Sequence, residues 1–155
     1  MLLNVRQQIE YKLKSALKEL EDYNEKLSYM SLTDELTGLY NRRGFLNLAQ
    51  KSLELSQRMK KSGYFFFADL DGLKVINDTY GHDEGDCAIK SVAEVLRKTF
   101  RSSDILGRLG GDEFTVFAVC ESNFDNDIIY KRLKEYIDIH NSTSNKPYKL
   151  SLSIG

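Results

Sequence analysis

Four carboxylates lie where two neighbouring strands are expected to end. Asp69 and Asp71 follow an apolar run, and Asp112 and Glu113 follow two glycines at the tip of a predicted hairpin. Acids placed in this way repel one another unless a cation lies between them, and their hard oxygen ligands suit Mg²⁺ with a bound phosphate. The pattern predicts a divalent metal site, although acidic turn residues also serve solubility or capping alone.

A calcium-binding EF-hand does not fit the same acids. In a loop that starts at Asp69, Lys74 stands where the required glycine would be, and Tyr80 stands where the bidentate glutamate would be. The calcium interpretation is therefore excluded.

The segment 74–86 contains an amide and a carboxylate that could recognise a purine. Asp86 could accept the N1–H and exocyclic amine donors of guanine, and Asn77 could address the remaining edge. Each residue taken singly is also common as a turn or helix cap. The chain contains neither a Walker A sequence nor GxGxxG, so metal, Lys74 and nearby backbone would have to hold phosphates. We expect this segment to be a loop.

Composition excludes several other classes of site. Cys87 and Cys120 have no CxxC spacing and the chain has only two histidines, which argues against structural zinc and favours reduced thiols in a cytoplasmic protein. The 22 basic and 23 acidic residues leave a net charge of −1, so the whole chain presents no basic field for a nucleic acid polymer. No run of about 18 apolar residues is present, and no membrane span is expected. Membership of a larger membrane-bound receptor stays open.

The length of 155 residues suits one compact domain with an additional helix. The order strand, helix, hairpin, helix, strand predicts an α+β, ferredoxin-like βαββαβ fold with helices on one face of the sheet. A preceding helix is expected to end at Gly63, and Gly110 and Gly111 are expected to have positive φ in the hairpin turn. The predicted elements are helices at about 42–61, 83–100 and 128–140, a doubly covered central strand at 64–68, hairpin strands at 105–109 and 114–120, and a last strand at 148–154.

Residues 1–30 carry apolar side chains at steps of three and four, which is a heptad repeat. The pattern predicts a parallel two-stranded coiled coil and thus a homodimer. The alternative is an amphipathic helix lying on its own domain. At about 1.5 Å per residue such a helix would be roughly 45 Å long, more than a small domain can cover, which favours dimerisation. The predicted a positions are Leu13, Leu20 and Leu27, and the d positions are Leu2, Ile9, Ala16, Tyr23 and Met30.

Residues 108–114 have the sequence RLGGDEF, which resembles the signature of the GGDEF family, the diguanylate cyclases. Three further blocks are similar to that family in the same order: DELTGLYNRR at 34–43, DLDGLKVINDTYGHDEGD at 69–86 and SLSIG at 151–155. The resemblance covers 31–155 and implies a fold of the nucleotidyl-cyclase and polymerase-palm type. It also implies condensation of two GTP into cyclic di-GMP with release of pyrophosphate, one GTP on each of two facing protomers.

The resemblance implies roles at individual positions. Glu113 would join the metal site or assist deprotonation. Mg²⁺ or Mn²⁺ would be bound by a set that comprises the side chains of Asp69 and Asp112, the backbone carbonyl of Leu70, and Glu113. Substrate would be bound by Asn77 and Asp86 at guanine and by Lys74 and Arg108 near the triphosphate.

Arg101 and Asp104 form Arg-Ser-Ser-Asp just before the signature, which is similar to the family's inhibitory product-binding RxxD site. An arginine after a helix and an aspartate before a strand are also ordinary features. If the resemblance holds here, the guanidinium would bind phosphate or guanine edges bidentately.

Family members continue past the SIG strand into a helix whose Lys or Arg helps hold phosphate, whereas this sequence ends at Gly155. We therefore expect a GGDEF domain at 31–155 that lacks this helix, preceded by a signalling helix at 1–30 that an upstream sensor domain would control. The competing hypothesis is a catalytically silent GGDEF module that binds GTP or cyclic di-GMP or acts in dimerisation. A silent module would be expected to have a broken signature, and here the signature is intact.

Overall fold

The computed structural model describes residues 2–121 and 124–155, with only the backbone for residues 2, 3, 28 and 29. Four antiparallel strands form one sheet in the order β2-β3-β1-β4. This architecture confirms the predicted α+β, ferredoxin-like fold. In chain order the elements are α1 (Leu2–Met30), α2 (Arg42–Arg58), β1 (Ser62–Leu70), α3 (Leu73–Tyr80), α4 (His82–Thr99), β2 (Ile105–Arg108), β3 (Glu113–Cys120), α5 (Asn126–Thr143) and β4 (Leu152–Ile154).

Strand β1 is central, between β3 and β4, but it is not covered on both faces as predicted. Phe66 and Ala68 are buried on the face that carries the main core, whereas Phe65 and Phe67 on the other face are 45% and 54% exposed. A continuous apolar run does not distinguish a doubly covered strand from one with a single buried face. The prediction was therefore wrong for the second face.

Helices pack on both faces of the sheet, which corrects the expectation of one helical face. The main core joins β1 and β3 to α4 and α5. On the opposite face, Phe45 and Ala49 of α2 pack with Phe117 of β3, and the Phe45 ring meets that of Phe65 edge-on at 6.4 Å. Helix α2 thus covers only the part of this face next to β2, and the end near Phe67 stays open.

Several predicted boundaries move for local reasons. Helix α2 ends at Arg58, and Lys60 adopts the left-handed conformation with φ 56°, whereas Gly63 lies inside β1. A Cβ at Gly63 would approach the Phe117 ring to 2.7 Å, so that glycine is needed for packing and does not cap the helix. The last strand is shorter than predicted and spans Leu152–Ile154.

The segment 74–86, expected to be a loop, is largely helical. Helix α3 begins after Gly72, with φ 71°, and ends before Gly81, with φ 95°, and α4 follows at once. Both glycines have the positive φ that L side chains rarely adopt, so they allow two short turns within a few residues.

Helix α1 is found as predicted, and every side chain described in it, residues 4–27 and 30, is exposed. Leu13, Leu20 and Leu27 of the heptad are 59%, 58% and 50% exposed. The helix therefore does not lie on its own domain over this length. Met1 and the side chain of Leu2, both included in the prediction, lie outside the described part. No helix among the described residues has the length and hydropathy of a membrane span.

Asn41 connects α1 to the rest of the domain. Its Oδ1 accepts a hydrogen bond from the Gly44 N–H at 2.9 Å and so caps α2. Its Nδ2 donates to the carbonyl oxygens of Ser31 at 2.5 Å and Thr33 at 3.4 Å. One side chain thus holds the start of α2 against the segment that follows α1.

Candidate active site

The predicted metal-binding residues lie together at one end of the sheet. Antiparallel pairing of β1 with β3 places Asp69 directly opposite Glu113. The Leu70 N–H donates to the Asp112 carbonyl at 2.9 Å, which brings the tip of the hairpin alongside the end of β1. Asp69 and Glu113 are exposed and Asp112 is partly buried. We call Asp69, Asp112 and Glu113 the acidic edge.

The acidic edge suits a metal ion that takes part of its ligands from a nucleotide. Among the described residues, none of its three carboxylates has an ion-pair partner. Like charges on directly opposed strand residues repel each other. No three His, Cys, Asp or Glu side chains in the described part converge as a ready-made metal cluster. Mg²⁺ is usually held by one or two carboxylates plus substrate phosphates and water, and rarely by a cage made of protein ligands alone. The incomplete set of ligands at the acidic edge therefore suits Mg²⁺.

Asp71, the fourth acid at this end, has a different environment. Its carboxylate accepts hydrogen bonds from the hydroxyls of Ser151 at 2.7 Å and Ser153 at 2.6 Å, and its N–H donates to the Ser151 carbonyl at 2.9 Å. Asp71 therefore fastens the segment that leads into β4. This contact was not predicted from the sequence, although the alternation Ser-x-Ser in SLSIG places both hydroxyls on one face of a strand.

The hairpin turn is shaped by hydrogen bonds to Arg108. Its Nε and Nη2 donate to the Gly111 carbonyl at 3.2 and 3.0 Å. Neither Gly110 nor Gly111 is among the described glycines with positive φ, so that expectation was wrong. A Cβ at Gly110 would lie 3.3 Å from Glu113 Oε2, which shows that the missing side chain leaves room for the Glu113 carboxylate.

Arg108 also binds Asp34, which comes from the start of the domain. Arg108 Nη1 donates to the two Asp34 oxygens at 3.1 and 3.2 Å, and Asp34 accepts further hydrogen bonds from the Thr37 hydroxyl at 2.7 Å and the Thr37 N–H at 3.0 Å. Burial opposes ionisation of Asp34, but these hydrogen bonds and the Arg108 charge outweigh it and hold the pKa of Asp34 below its ordinary value. We call Asp34, Thr37 and Arg108 the Asp34 anchor.

The residues predicted to contact substrate lie on two helices. Lys74 is exposed in the first turn of α3, Asn77 lies near its end, and Asp86 is exposed near the start of α4. A Cβ at Gly85 would come within 1.7 Å of Asn77 Oδ1, so the Asn77 amide packs directly on the α4 backbone beside Asp86. The structure thus brings Asn77 close to the residue that precedes Asp86.

Arg101 and Asp104 form a tight turn between α4 and β2. The Arg101 N–H donates to Asp104 Oδ2 at 2.8 Å, and the Asp104 N–H donates to the Arg101 carbonyl at 3.0 Å. Burial raises the pKa of Asp104, and the hydrogen bond and charge of Arg101 only partly oppose it. Both residues line an open cavity of about 410 Å³ that Tyr40 and Arg97 also line.

The family described as "Diguanylate cyclase, GGDEF domain" matches residues 31–155. The match covers most of the sequence, and the chain belongs to the GGDEF family.

Individual relatives agree with this assignment. The chain is 36% identical over 129 residues to diguanylate cyclase DgcP of Escherichia coli K12, an alignment that covers 83% of this chain and 38% of DgcP. It is 40% identical over 98 residues to the probable diguanylate cyclase DgcC of the same strain, covering 63% of this chain and 26% of DgcC. The matched part of the chain is therefore about a quarter to two fifths of the length of these relatives.

A solved structure extends the likeness to the N-terminal helix. The coiled coil and GGDEF domain of DgcB from Caulobacter crescentus, in complex with c-di-GMP, has a TM-score of 0.75 and 25% sequence identity to this chain. The match covers 95% of this chain and 81% of the DgcB chain.

Proposed function

We propose that this chain is a diguanylate cyclase domain that condenses two GTP into cyclic di-GMP and releases two pyrophosphates. The observation that carries the proposal is the acidic edge. An intact GGDEF hairpin pairs with the end of β1 so that three carboxylates without ion-pair partners in the described part lie next to Leu70. Repelling charges gathered at one point destabilise the folded chain, and a bound cation with its phosphate ligands would relieve the repulsion.

The chain's own residues would bind the metal and move one proton. Asp69, the Leu70 carbonyl, Asp112 and Glu113 would hold Mg²⁺ or Mn²⁺. When bound, the ion lowers the pKa of the attacking 3′-hydroxyl and neutralises charge on the α-phosphate. Glu113 is exposed, so one of its carboxylate oxygens can accept the 3′-hydroxyl proton. The 3′-oxygen then bonds to the α-phosphorus of the other GTP as the bond to pyrophosphate breaks, and a second such step closes the ring.

The helical residues would orient the nucleotide. Asp86 would accept from the N1–H and amine of guanine, Asn77 would contact its remaining edge, and Lys74 would pair with phosphate. Arg108 would act near the triphosphate by holding the Gly111 carbonyl and thus the hairpin tip, since its guanidinium also binds Asp34. A GTP substrate would place the domain in the cytoplasm, and the proposed reaction would require no nucleic acid polymer.

Homodimerisation through α1 would bring two half-sites together, because one half-site holds one GTP and cannot close the ring. The exposed heptad supports this step, since an isolated helix of such length is marginal in water unless its apolar seam is buried. Leu20→Lys, at a central a position, should shift the chain toward monomer and make specific activity depend on protein concentration. Sedimentation of the chain and this variant at micromolar concentration tests the step. A monomeric parent chain would contradict it.

Product feedback would act at Arg101 and Asp104, away from the acidic edge. Arg101→Ala should relieve inhibition by added cyclic di-GMP without changing the affinity for GTP. If turnover of the unaltered chain does not slow when cyclic di-GMP is added, this part of the proposal is wrong.

The main experiment incubates the purified chain with GTP and Mg²⁺ and identifies the product by mass. We expect cyclic di-GMP from GTP, no cyclic dinucleotide from ATP, and no product from Asp112→Ala. GTP binding without any turnover would support the silent module instead. Absence of both binding and turnover would contradict either form of the proposal.

A further inference from the structure

We propose that residues 146–148 form a clamp that positions the corner between α3 and α4, which makes Glu84, Lys146 and Tyr148 positioning residues for purine recognition. The inference rests on the proposed function, because it takes Asn77 and Asp86 as the guanine-binding residues. It adds side chains that belong neither to the acidic edge nor to the residues proposed to bind the nucleotide.

The corner between α3 and α4 lacks a capping side chain. The chain turns at Gly81, with φ 95°, and α4 begins there without a side-chain cap. A Cβ placed at Gly81 would meet no atom of the described residues within 4 Å apart from its chain neighbours, so the turn is open on that side. A glycine N-cap offers no side-chain oxygen to the free N–H groups of the first turn of α4. Besides the packing of Asn77 on Gly85, contacts from another segment therefore help to fix the relative placement of the two helices.

The clamp supplies contacts after Gly81. Lys146 Nζ donates to Glu84 Oε1 at 2.9 Å, and the Tyr148 hydroxyl lies 3.1 Å from both Glu84 Oε2 and the Glu84 carbonyl oxygen. Glu84 is in the first turn of α4. Its carboxylate is thus held by a cation and a phenol that belong to a segment more than sixty positions away.

The clamp also supplies contacts before Gly81. The hydroxyl of Tyr80, the last residue of α3, donates to the Pro147 carbonyl at 3.3 Å. The rings of Tyr80 and Tyr148 lie 5.8 Å apart with an interplanar angle of 41°. One short segment therefore binds residues on both sides of Gly81, in addition to the direct packing of Asn77 on Gly85.

The protonation states of the clamp suit these contacts. The hydrogen bond between Lys146 and Glu84 holds the pKa of Glu84 below the usual range, although burial opposes this. The same hydrogen bond raises the pKa of Lys146. Burial, followed by the hydrogen bond to Glu84, raises the pKa of Tyr148 to about 12. Glu84 and Lys146 are therefore charged and Tyr148 is neutral at neutral pH.

The clamp is itself fixed to the domain. Just beyond it, the Asn141 side chain of α5 both donates to the Leu150 carbonyl at 2.8 Å and accepts from the Leu150 N–H at 2.7 Å. Ser151 then binds Asp71, two residues past Asp69. Contacts made by the clamp consequently hold the α3–α4 corner relative to the end of the sheet where the acidic edge lies.

Glu84 lies next to the residues proposed to bind guanine, Asn77 and Asp86, so its position affects theirs. Gly85, on which the Asn77 amide packs, separates Glu84 from Asp86. A displacement of the first turn of α4 therefore moves Asp86 and changes its position relative to Asn77. Where two groups must contact one ligand, a displacement of about 1 Å weakens the contacts that they make with it.

The test measures GTP and ATP affinity by calorimetry for the full chain and for Glu84→Gln, Lys146→Met and Tyr148→Phe. Because the Glu84–Lys146 pair is partly exposed, its contribution is small, so we expect GTP binding to weaken by about two- to fivefold and the preference for GTP over ATP to fall. Tyr148→Phe removes one hydroxyl and keeps the ring, so weaker GTP binding by this variant would not be explained by misfolding. The exchange Glu84→Lys with Lys146→Glu should restore the preference for GTP.

Matched controls change the same kind of charge nearby without touching the clamp contacts. Asp83→Asn alters the same turn of α4, and Lys149→Met alters an exposed lysine three positions after Lys146; neither residue has an ion-pair partner within the described part. Both controls should keep the GTP affinity and preference of the parent chain.

The outcomes separate the clamp from the proposed function. If the parent chain binds GTP and the clamp variants keep its affinity and preference, the clamp inference is wrong while the proposed function stands. The same holds if the charge exchange does not restore preference or if the controls weaken binding equally. If the parent chain does not prefer GTP, both the proposed function and the clamp inference fail.

Discussion

Asp34 and Asp69 both lie beside the β2–β3 hairpin, and the structure treats them differently. Asp34 accepts hydrogen bonds from Thr37 and Arg108, and its side chain is 21% exposed. Asp69 is exposed, faces Glu113 across the strands, and has no ion-pair partner in the described part of the chain. The Asp34 anchor and the acidic edge are thus two uses of the same functional group a short distance apart.

The two sites differ in whether their negative charge has a positively charged partner. The Asp34 charge is neutralised by Arg108, so its contribution is to the stability of the domain. The acidic edge contains like charges that face each other across two strands. Their repulsion destabilises the folded chain slightly and would be relieved by a cation. We therefore expect substitutions at the two sites to separate activity from stability, and the following experiments can sharpen or break that distinction.

The largest effect is expected at Asp69. Asp69→Asn should lower kcat about a thousandfold, since several kcal/mol of charge stabilisation depend on the bound ion. The melting temperature should stay constant or rise, because one of two opposed charges is removed. Turnover assays and calorimetry on the same sample check both. Asp78→Asn, an exposed aspartate of α3, is the control for a lost negative charge. An inactive variant that has also lost several degrees of melting temperature would undo the distinction.

Asp34→Asn should show the opposite pattern. Loss of hydrogen bonds to a partly buried ion should lower the free energy of unfolding by about 2 kcal/mol, and the melting temperature by about 4–8 °C for a domain of this size. The kcat per folded molecule should change less than about tenfold, because Asp34 belongs to the anchor and not to the acidic edge. Urea denaturation with activity corrected for the folded fraction measures both quantities. Unchanged stability with a hundredfold loss of kcat would assign Asp34 to catalysis.

The stability contribution of Asp34 should depend on pH in a defined direction. Because the pKa of Asp34 in the folded chain lies below its ordinary value of 3.8, its contribution is present above that value and is lost as pH falls through the lowered pKa. The difference in unfolding free energy between the unaltered chain and Asp34→Asn should therefore be complete near neutral pH and shrink below about pH 4. Denaturation curves over this range test it, and a difference that grows on acidification would contradict the pairing with Arg108.

The smallest effect concerns the metal. With a non-hydrolysable GTP analogue present, Mg²⁺ at about ten times its dissociation constant should add roughly 1.4 kcal/mol of stability, or about 3–5 °C. Asp34→Asn should keep this increment and Asp69→Asn should lose it. Equal increments in both variants would show that Mg²⁺ binds elsewhere or only to the nucleotide.

Much of the acidic edge could be predicted from the sequence, because its residues are placed by local features. An apolar run followed by Asp69 and a hairpin turn followed by Glu113 are visible along the chain, and antiparallel pairing brings the two residues together. The same holds for α4, whose apolar residues recur at helical spacing over five turns.

The remaining features depend on pairs that are distant along the chain or on elements too short to show a period. Arg108 binds Asp34 across 74 positions and Ser151 binds Asp71 across 80, and no local pattern indicates either partner. Helix α3 has only eight residues between two glycines, so its helical repeat covers little more than two turns. The covering of β1 was misjudged because Phe65 and Phe67 are as apolar as the buried Phe66.

The amide of Asn41 has a mechanical consequence. At about 1.5 Å per residue the 29 residues of α1 form a rod roughly 44 Å long, so a tilt of about 10° at its base moves the far end by about 8 Å. Asn41 ties that base to the first turn of α2, and a Cβ at Gly107 would lie 2.9 Å from Phe45 of the same helix. A tilt of α1 would therefore be transmitted through Asn41 and α2 to β2, the strand that ends at Arg108, as a displacement much smaller than that of the far end.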